Sequence, residues 1–368
     1  MRFRAISRGL RLGVALVLAS TVVAACGSDD DKKSGSSGDD SSSSDSKLFT
    51  VESLDDLYKQ AQDEGDTDLV IYSILAQAWK PLFEKFSAAY PDITIKSEAI
   101  CCADQFTKLQ QEFQTKQHTA DVVMAGPQQI DQYADSGWVT FYDASQYTMA
   151  DIGTLHDGIT MPNGTGFGVV YNTDQVTSPP KSWDDLLDPV YKGKIALQDL
   201  TKVSGTEALY SNLAENGEIS EDYMSKLADQ DPKIVASSTD YAQAVGSGEA
   251  TLGVGMPLSF FQAVKASGPL GMVFPVEGEA KSGQFMAPQA SMLVTGAPHP
   301  DAGKLFIAWL YTADGQAAIA AQGDYGLVSG SPGPEGFPAI DDLTAMPVPA
   351  DQPALDAKYT AEWKELFG

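Results

Sequence analysis

The chain has 368 residues, enough for two domains with a substantial apolar core in each. It carries 50 Asp and Glu against 24 Lys and Arg, a formal net charge of −26. So acidic a surface would repel the phosphates of a nucleic acid, and the composition therefore argues against nucleic-acid partners.

Residues 1–25 are typical of a secretory signal peptide. Arginines precede an apolar run at residues 12–23, which is too short to span a membrane as a stable helix. Cys26 follows two alanines, as in a bacterial lipobox, where the cysteine becomes the lipidated first residue and carries palmitate or a similar chain. The alternative is an ordinary signal peptide with an incidental cysteine.

Residues 26–47 are mostly Ser, Asp and Gly, a composition that cannot build a core and predicts a flexible tether. Beyond the tether, the only cysteines are the adjacent Cys101 and Cys102. In an exported, oxidising setting they predict a vicinal disulfide, with two free thiols or a soft-metal site as the alternatives.

Apolar runs at residues 69–74, 93–100 and 121–125 predict strands, with helical patterns at residues 77–90 and 104–117 between them. Such alternation indicates a mostly parallel sheet, whose ligands lie just past the carboxyl ends of the strands. That rule selects the candidate site residues Ser73, Ala76, Gln77, Cys101, Cys102, Ala103, Asp104, Gly126 and Pro127.

The chain alternates again after a buried strand predicted at residues 167–171. Strands are predicted at residues 194–197, 233–236 and 250–254, so this part should also be α/β. The next predictions are two strands that return the chain to the first part, two helices and a short final helix; these lie at residues 272–275, 291–295, 301–311, 313–322 and 361–367.

Residues 167–172, 181–189 and 191–195 resemble the central signature of the extracellular solute-binding proteins that feed ATP-driven (ABC) importers. The likeness covers about residues 69–326 and is closest to the ferric-iron, phosphonate and polyamine binders. It implies a type II periplasmic-binding-protein-like α/β fold, with two lobes around a ligand cleft and crossing hinge segments. Lobe I would comprise residues 48–168 and 276–368, and lobe II residues 169–275.

The resemblance also adds residues to the candidate site. Ser204, Gly205 and Thr206 open a helix whose unpaired N–H groups favour anions, although Ser204 and Thr206 would equally serve as simple caps. Phe167, Tyr171 and Gln289 are candidates from the crossing segments, where Tyr171 would serve the hinge if it does not contact the ligand.

Phe260 and Phe261 stand where ferric-binding members of the family carry neighbouring tyrosines. Phenylalanine cannot ligate a metal, so the pair predicts an aromatic wall for an organic ligand, or else two core residues. A ferric ion would need other oxygen ligands, for example from Asp104 or Tyr241.

The sequence therefore predicts a monomeric, lipid-anchored receptor outside the cytoplasmic membrane, which hands a small organic or anionic solute to the permease and ATPase subunits of an ABC importer. We expect no cofactor, no metal, no catalysis and no membrane contact beyond the anchor. An exported hydrolase or a cell-surface scaffold is the rival class, but no nucleophile motif with an adjacent base is present.

Overall fold

The computed structural model describes residues 47–100, 102–275, 284–347, 349 and 351–368. The predicted signal peptide, Cys26, all of the predicted tether except Lys47, and Cys101 lie outside the described residues. Within the described part of the chain, no helix combines the length and the apolar character that crossing a membrane would demand.

The strands of the described residues form one mixed sheet. They are β1 (Leu48–Phe49), β2 (Asp68–Ser73), β3 (Thr94–Ala99), β4 (Val122–Ala125), β5 (Val139–Tyr142), β6 (Asn163–Asn172), β7 (Ile195–Gln198), β8 (Lys233–Val235), β9 (Leu252–Pro257), β10 (Leu270–Val273), β11 (Met286–Val294) and β12 (Tyr325–Gly326).

The main strand order is β3-β2-β4-β11-β6-β9-β7-β8. Strands β2, β3 and β4 are mutually parallel at one end of this order, and β7, β8 and β9 are parallel at the other. The antiparallel strands β6 and β11 lie between these two groups. The strand–helix alternation of the sequence thus produces two parallel groups joined by two shared strands.

Helices connect and cover the strands. They are α1 (Leu54–Glu64), α2 (Lys80–Ala89), α3 (Cys102–Thr115), α4 (Pro127–Asp135), α5 (Gly205–Glu215), α6 (Tyr223–Asp229), α7 (Ser238–Gly246), α8 (Leu258–Val264), α9 (Pro300–Leu310), α10 (Ala313–Ala321) and α11 (Gln352–Phe367).

Serine caps fix where several helices begin. The hydroxyl of Ser53 accepts the N–H of Asp56 at 3.2 Å, and that of Ser204 accepts the N–H of Glu207 at 3.1 Å. Each bond satisfies one of the N–H groups that the first turn leaves without an intrahelical partner. The sequence therefore sets the start of α1 and α5 locally.

Aromatic side chains fill the core on both sides of the shared strands. Phe86 packs edge-on against Phe306 and Trp309, with ring centroids 5.2 and 5.4 Å apart, between α2 and α9. On the other side, Trp183 and Tyr210 pack 6.1 Å apart under α5. Each parallel group of strands therefore has its own packed layer of helices, as α/β architecture requires.

The structure confirms the predicted α/β class, and most predicted elements lie within a few residues of the observed ones. The segment at residues 272–275 was predicted to return the chain to the first strand group. This was wrong, since β10 pairs with the second half of β6, Leu270 opposite Asn172. Among the described residues, β11 carries the chain back, because its residues after Gln289 pair with β4.

The final helix is longer than predicted. It begins at Gln352, where the carboxylate of Asp351 accepts the N–H of Ala354 at 3.0 Å, and not near residue 361. Its buried side chains Leu355, Tyr359 and Trp363 pack against α5 and α6. Both helices belong to residues 169–275, so α11 rests on the part of the chain that we predicted as lobe II; the lobe boundaries themselves stay a prediction.

Replacing Trp363 by alanine should show how strongly α11 is held. Trp363 is 1% exposed, and removing so large a buried side chain leaves a cavity that costs about 3–5 kcal/mol. Leu366→Ala on the same helix is the control, since Leu366 is 39% exposed and its loss should cost about 0.5 kcal/mol. Urea unfolding measures the free energy of unfolding of both variants. Far-UV circular dichroism is the signal to follow, because it does not depend on the tryptophan that one variant removes. Equal effects of the two changes would mean that α11 is not packed as described.

Candidate functional site

A cavity of about 390 Å³ lies where several element ends meet. Strands β2 and β4 end beside it, α3, α4, α5 and α11 begin beside it, and the first half of β11 forms its floor. This is the place that the carboxyl-end rule for parallel strands selects. The cavity is lined by Ile74, Cys102, Gln105, Met124, Ala125, Gly126, Pro127, Gln128, Gln129, Val203, Ser204, Gly205, Ala208, Asn212, Phe285, Met286, Ala287, Pro288, Gln289, Pro347, Pro349, Gln352 and Asp356.

Two exposed aliphatic side chains flank the cavity from the two strand groups. Ile74 follows β2 and is 56% exposed, and Val203 precedes α5 and is 67% exposed. Single exposed apolar side chains are ordinary on a protein surface, but here two of them line one cavity. Met124, Phe285 and Met286 continue the apolar lining. The walls therefore suit a ligand with an apolar body.

The amide of Gln105 closes one end of the cavity without leaving polar atoms free. Its Nε2 donates to the carbonyls of Tyr72 and Met124 at 3.2 and 3.3 Å. Its Oε1 accepts the hydroxyl of Tyr133 at 2.9 Å. Gln105 is fully buried, so these bonds offset the cost of its burial and give it a structural role.

The other end of the cavity is polar and lies between α5 and α11. The Nδ2 of Asn212 donates to the carbonyl of Ala208 at 2.7 Å and to Oε1 of Gln352 at 3.1 Å. The Nε2 of Gln352 in turn donates to Oδ1 of Asp356 at 2.6 Å. These three side chains line the cavity, so the two helices form this end together.

Glu207 lies beside Asp356 at the same end. Its side chain is 0% exposed, and its carboxyl faces the carboxyl of Asp356. The hydroxyl of Ser211 lies nearby, where it also reaches the carbonyl of Ala208 at 3.1 Å. Burial and the Asp356 carboxyl raise the pKa of Glu207 to about 8, and burial also raises the pKa of Asp356.

Six of the predicted site residues line the cavity: Cys102, Gly126, Pro127, Ser204, Gly205 and Gln289. The other candidates that the structure describes in the same segments do not. Ser73, at the end of β2, and Ala76 are fully buried, whereas Gln77, Ala103 and Asp104 are exposed outside the lining.

Thr206 was a candidate contact and instead faces the interior. Its hydroxyl donates to Oε1 of Gln198 at 2.7 Å and lies 3.1 Å from the hydroxyl of Tyr241. Tyr241, which we considered as a replacement iron ligand, is itself fully buried and accepts the N–H of Gln198 at 2.7 Å. Neither side chain reaches the cavity.

The aromatic candidates also lie outside the lining. Phe261 is buried in the core and Phe260 packs against it, which agrees with the alternative that the pair faces the interior. Phe167 packs on Phe285 with ring centroids 5.3 Å apart and so supports the cavity wall from behind. Tyr171 lies further along β6, beside β10.

Four of the lining residues that sequence reasoning missed lie near the end of the chain: Pro347, Pro349, Gln352 and Asp356. These are far from the rest of the site in sequence, follow a proline-rich stretch and carry no motif. The predicted final helix began too late to include them. Val203 and Phe285 were missed for a simpler reason, because each lies one or a few residues outside a segment that the prediction selected.

Known proteins share this fold. Residues 81–347 match the profile of the family described as bacterial extracellular solute-binding protein. That is well over half of the chain, and the chain belongs to this family. An uncharacterised protein of Haemophilus influenzae is 30% identical over 169 residues, which cover 43% of this chain and 46% of that relative, so the match spans less than half of the relative's length.

Several solved structures superpose on the chain. The substrate-binding protein of an ABC transporter from Agrobacterium tumefaciens has 19% identity and a TM-score of 0.67, covering 82% of this chain and 94% of that one. Iron-bound HitA from Pseudomonas aeruginosa has 17% identity and a TM-score of 0.60, with 82% and 98% coverage. AfuA from Actinobacillus pleuropneumoniae, with exogenous fructose-6-phosphate bound, has 20% identity and a TM-score of 0.59, covering 82% of this chain and 98% of that one. These likenesses confirm the type II periplasmic-binding-protein fold.

The buried carboxyl of Glu207 predicts an unusual pH dependence of stability. Because its pKa is higher in the folded protein than in the unfolded chain, the folded protein retains a proton that the unfolded chain releases. The free energy of unfolding should therefore fall as pH rises from about 5 to 8, by at most about 1.4 kcal/mol per pH unit. In Glu207→Gln this fall should be much smaller.

Urea unfolding at a series of pH values measures the effect. Glu215→Gln is the matched control, because Glu215 lies on the same helix, is exposed, and has a pKa lowered by Lys358. Its stabilising contribution is lost only as pH falls through its low pKa, so this variant should retain the wild-type slope between pH 5 and 8. A wild-type slope in Glu207→Gln would show that Glu207 is not the group responsible.

Proposed function

We propose that this chain is the lipid-anchored solute receptor of an ABC importer, which captures a small organic molecule between two lobes and delivers it unchanged to a permease. One observation carries the proposal. The cavity is lined by residues from both strand groups, with β6 and β11 running past it as the two shared strands. Closure about such shared segments is how two-lobed binding proteins enclose a ligand.

The lobes that we propose differ from the first prediction in one respect. Residues 48–168 with the chain from 276 up to α11 would form lobe I, and residues 169–275 together with α11 would form lobe II. We assign α11 to lobe II, because Leu355, Tyr359 and Trp363 pack there. The cavity would then lie between Ile74 of lobe I and Val203 of lobe II.

The cavity favours an organic solute over a ferric ion. The described residues contain no group of three His, Cys, Asp or Glu side chains placed to hold a metal, and Asp356 is the only carboxylate in the lining. Ferric transport, suggested by relatives such as HitA, is therefore the weaker candidate. The family and its structural relatives are binding proteins, which supports capture without a bond-making step.

Aspartates at the mouth of the cavity should prevent capture without unfolding the protein. Ile74→Asp and Val203→Asp each place a charge on an apolar wall, at side chains already 56% and 67% exposed. We expect at least a tenfold loss of bound solute and an unchanged free energy of unfolding. Ile234→Asp is the control, since Ile234 is 47% exposed on β8 and does not line the cavity.

The readouts are mass spectrometry of small molecules released from the purified protein and X-ray scattering with and without the identified solute. The wild type should shrink on binding and the two cavity variants should not. If Ile234→Asp lost the solute equally, the cavity would not be the capture site. Turnover of the solute would exclude a receptor.

The anchor is tested separately, because Cys26 lies outside the described residues. Labelled palmitate fed to cells should be incorporated into the wild-type protein, and Cys26→Ser should abolish the label and release the protein from the membrane fraction. Cys102→Ser is the control and should keep both properties. Membrane retention of the Cys26→Ser protein would indicate an uncleaved signal peptide instead.

A further inference from the structure

Among the described residues at the cavity, every buried polar atom that lacks a partner is a hydrogen-bond acceptor. On the lining these atoms are Oδ1 of Asn212 and Oε1 of Gln289, and the carboxyl of Glu207, which is not itself part of the lining, adjoins that of Asp356. No Lys, Arg or His is found among the described lining residues. Buried acceptors without donors are costly, so the site lacks a group that would donate to them.

The orientation of the two amides is fixed by their partners. Asn212 directs its Nδ2 toward two acceptors, the Ala208 carbonyl and Oε1 of Gln352, so that Oδ1 is the atom left free. Gln352 directs its Nε2 toward Asp356. Rotating either amide by half a turn would place oxygen against oxygen. The excess of acceptors therefore does not depend on how the amides are assigned.

We propose that the polar end of the cavity, formed by Asn212, Asp356 and the adjoining Glu207, binds the protonated amine of a solute whose apolar part lies against Ile74, Val203 and Phe285. An ammonium group offers three donors and no acceptor, which matches the unpartnered oxygens in kind. It also brings a full positive charge beside Asp356, where the described lining has no Lys, Arg or His. This inference rests on the proposed function, because it takes the cavity to be the capture site.

Charged groups on the neighbouring elements do not already provide this cation. On α11, Lys358 forms an ion pair with Glu215 of α5, with its Nζ 2.9 Å from the carboxylate. The remaining charged residues of α11 after Lys358 are Glu362, Lys364 and Glu365, in the half of the helix that follows the cavity residues. Strands β6, β7 and β9, which pack under α5, contribute one titratable side chain, Tyr171. Of the two other helices that contact α11, α4 has no Lys or Arg, and Lys226 of α6 pairs with Asp222 at 2.7 Å. Asp356 is thus the charged group that faces Glu207.

Binding should release a proton. In the empty cavity at neutral pH, the adjoining carboxyls of Glu207 and Asp356 retain one proton between them, because two buried carboxylates repel each other. An arriving ammonium replaces that proton, which leaves to solvent. Amine affinity should therefore rise about tenfold for each pH unit between 6 and 7, below the pKa of about 8 for Glu207.

Three probes with one tail and different heads test the head group: n-hexylamine, 1-hexanol and hexanoate. Titration calorimetry at pH 7 should show hexylamine binding at least tenfold more tightly than the other two. In buffers of different ionisation enthalpy, about one proton should be released per amine bound at pH 6.5. Asp356→Asn should weaken amine binding at least tenfold, and Glu207→Gln should abolish proton release. Glu215→Gln, outside the cavity, should change neither.

Hexanoate binding as well as hexylamine, or amine binding without proton release from the wild type, would overturn the inference. The wild-type measurements stand even if a variant fails to fold. If none of the three probes binds while solute released from the purified protein still causes closure, the amine inference fails and the receptor function stands. If no solute is released and no closure occurs, both fail.

Discussion

The fold depends on the sharing of β6 and β11 between two groups of parallel strands. Residues Asn163–Gly166 of β6 pair with β11, whereas residues 167–171 pair with β9. This exchange of partners within one strand needs close backbone contact. A Cβ at Gly168 would lie 2.5 Å from the carbonyl of Val273, and one at Gly166 would lie 2.9 Å from the ring of Phe274. Glycine at these positions therefore allows β6 to change partners without displacing β10 and the chain that follows it.

The position of the site follows from this arrangement. The two parallel groups lie on either side of the shared strands, and the segments that follow β2, β4 and β7 all contribute residues to the cavity lining. The N-termini of α3, α4, α5 and α11 all border the cavity and add partial positive charge. That potential attracts the carboxyl group of Asp356 as readily as it would attract an anionic ligand. The helix N-termini alone would suggest an anionic solute, but Asp356 already places a carboxyl group in the same cavity, so an anionic solute is less well supported than the sequence implied.

How much could be predicted from the sequence depended on the range of the interactions. Ser204 and the start of α5 were predictable because a cap and its N–H lie three residues apart. The apolar periods of β2, β4 and the helices between them were equally local. Thr206 and Phe261 were not predictable, since helical periodicity alone does not say which face meets the core and which meets a cavity. Cys102 and Gly126 were found because the carboxyl-end rule converts a local strand pattern into a position in space.

The contribution of α11 shows the limit of local reasoning most clearly. Asp356 and Gln352 have neither motif nor sequence proximity to Asn212, yet their bonds to it and to each other form one end of the cavity. What holds them there is the apolar face of the same helix, with Trp363 buried among the side chains under α5 and α6. The apolar half of α11 thus provides the free energy that keeps its polar half beside Glu207. The apolar side chains of α11 hold this helix against α5 and α6. Substitutions among the polar residues of α11 can therefore change the chemistry of the cavity while the shared strands stay as they are.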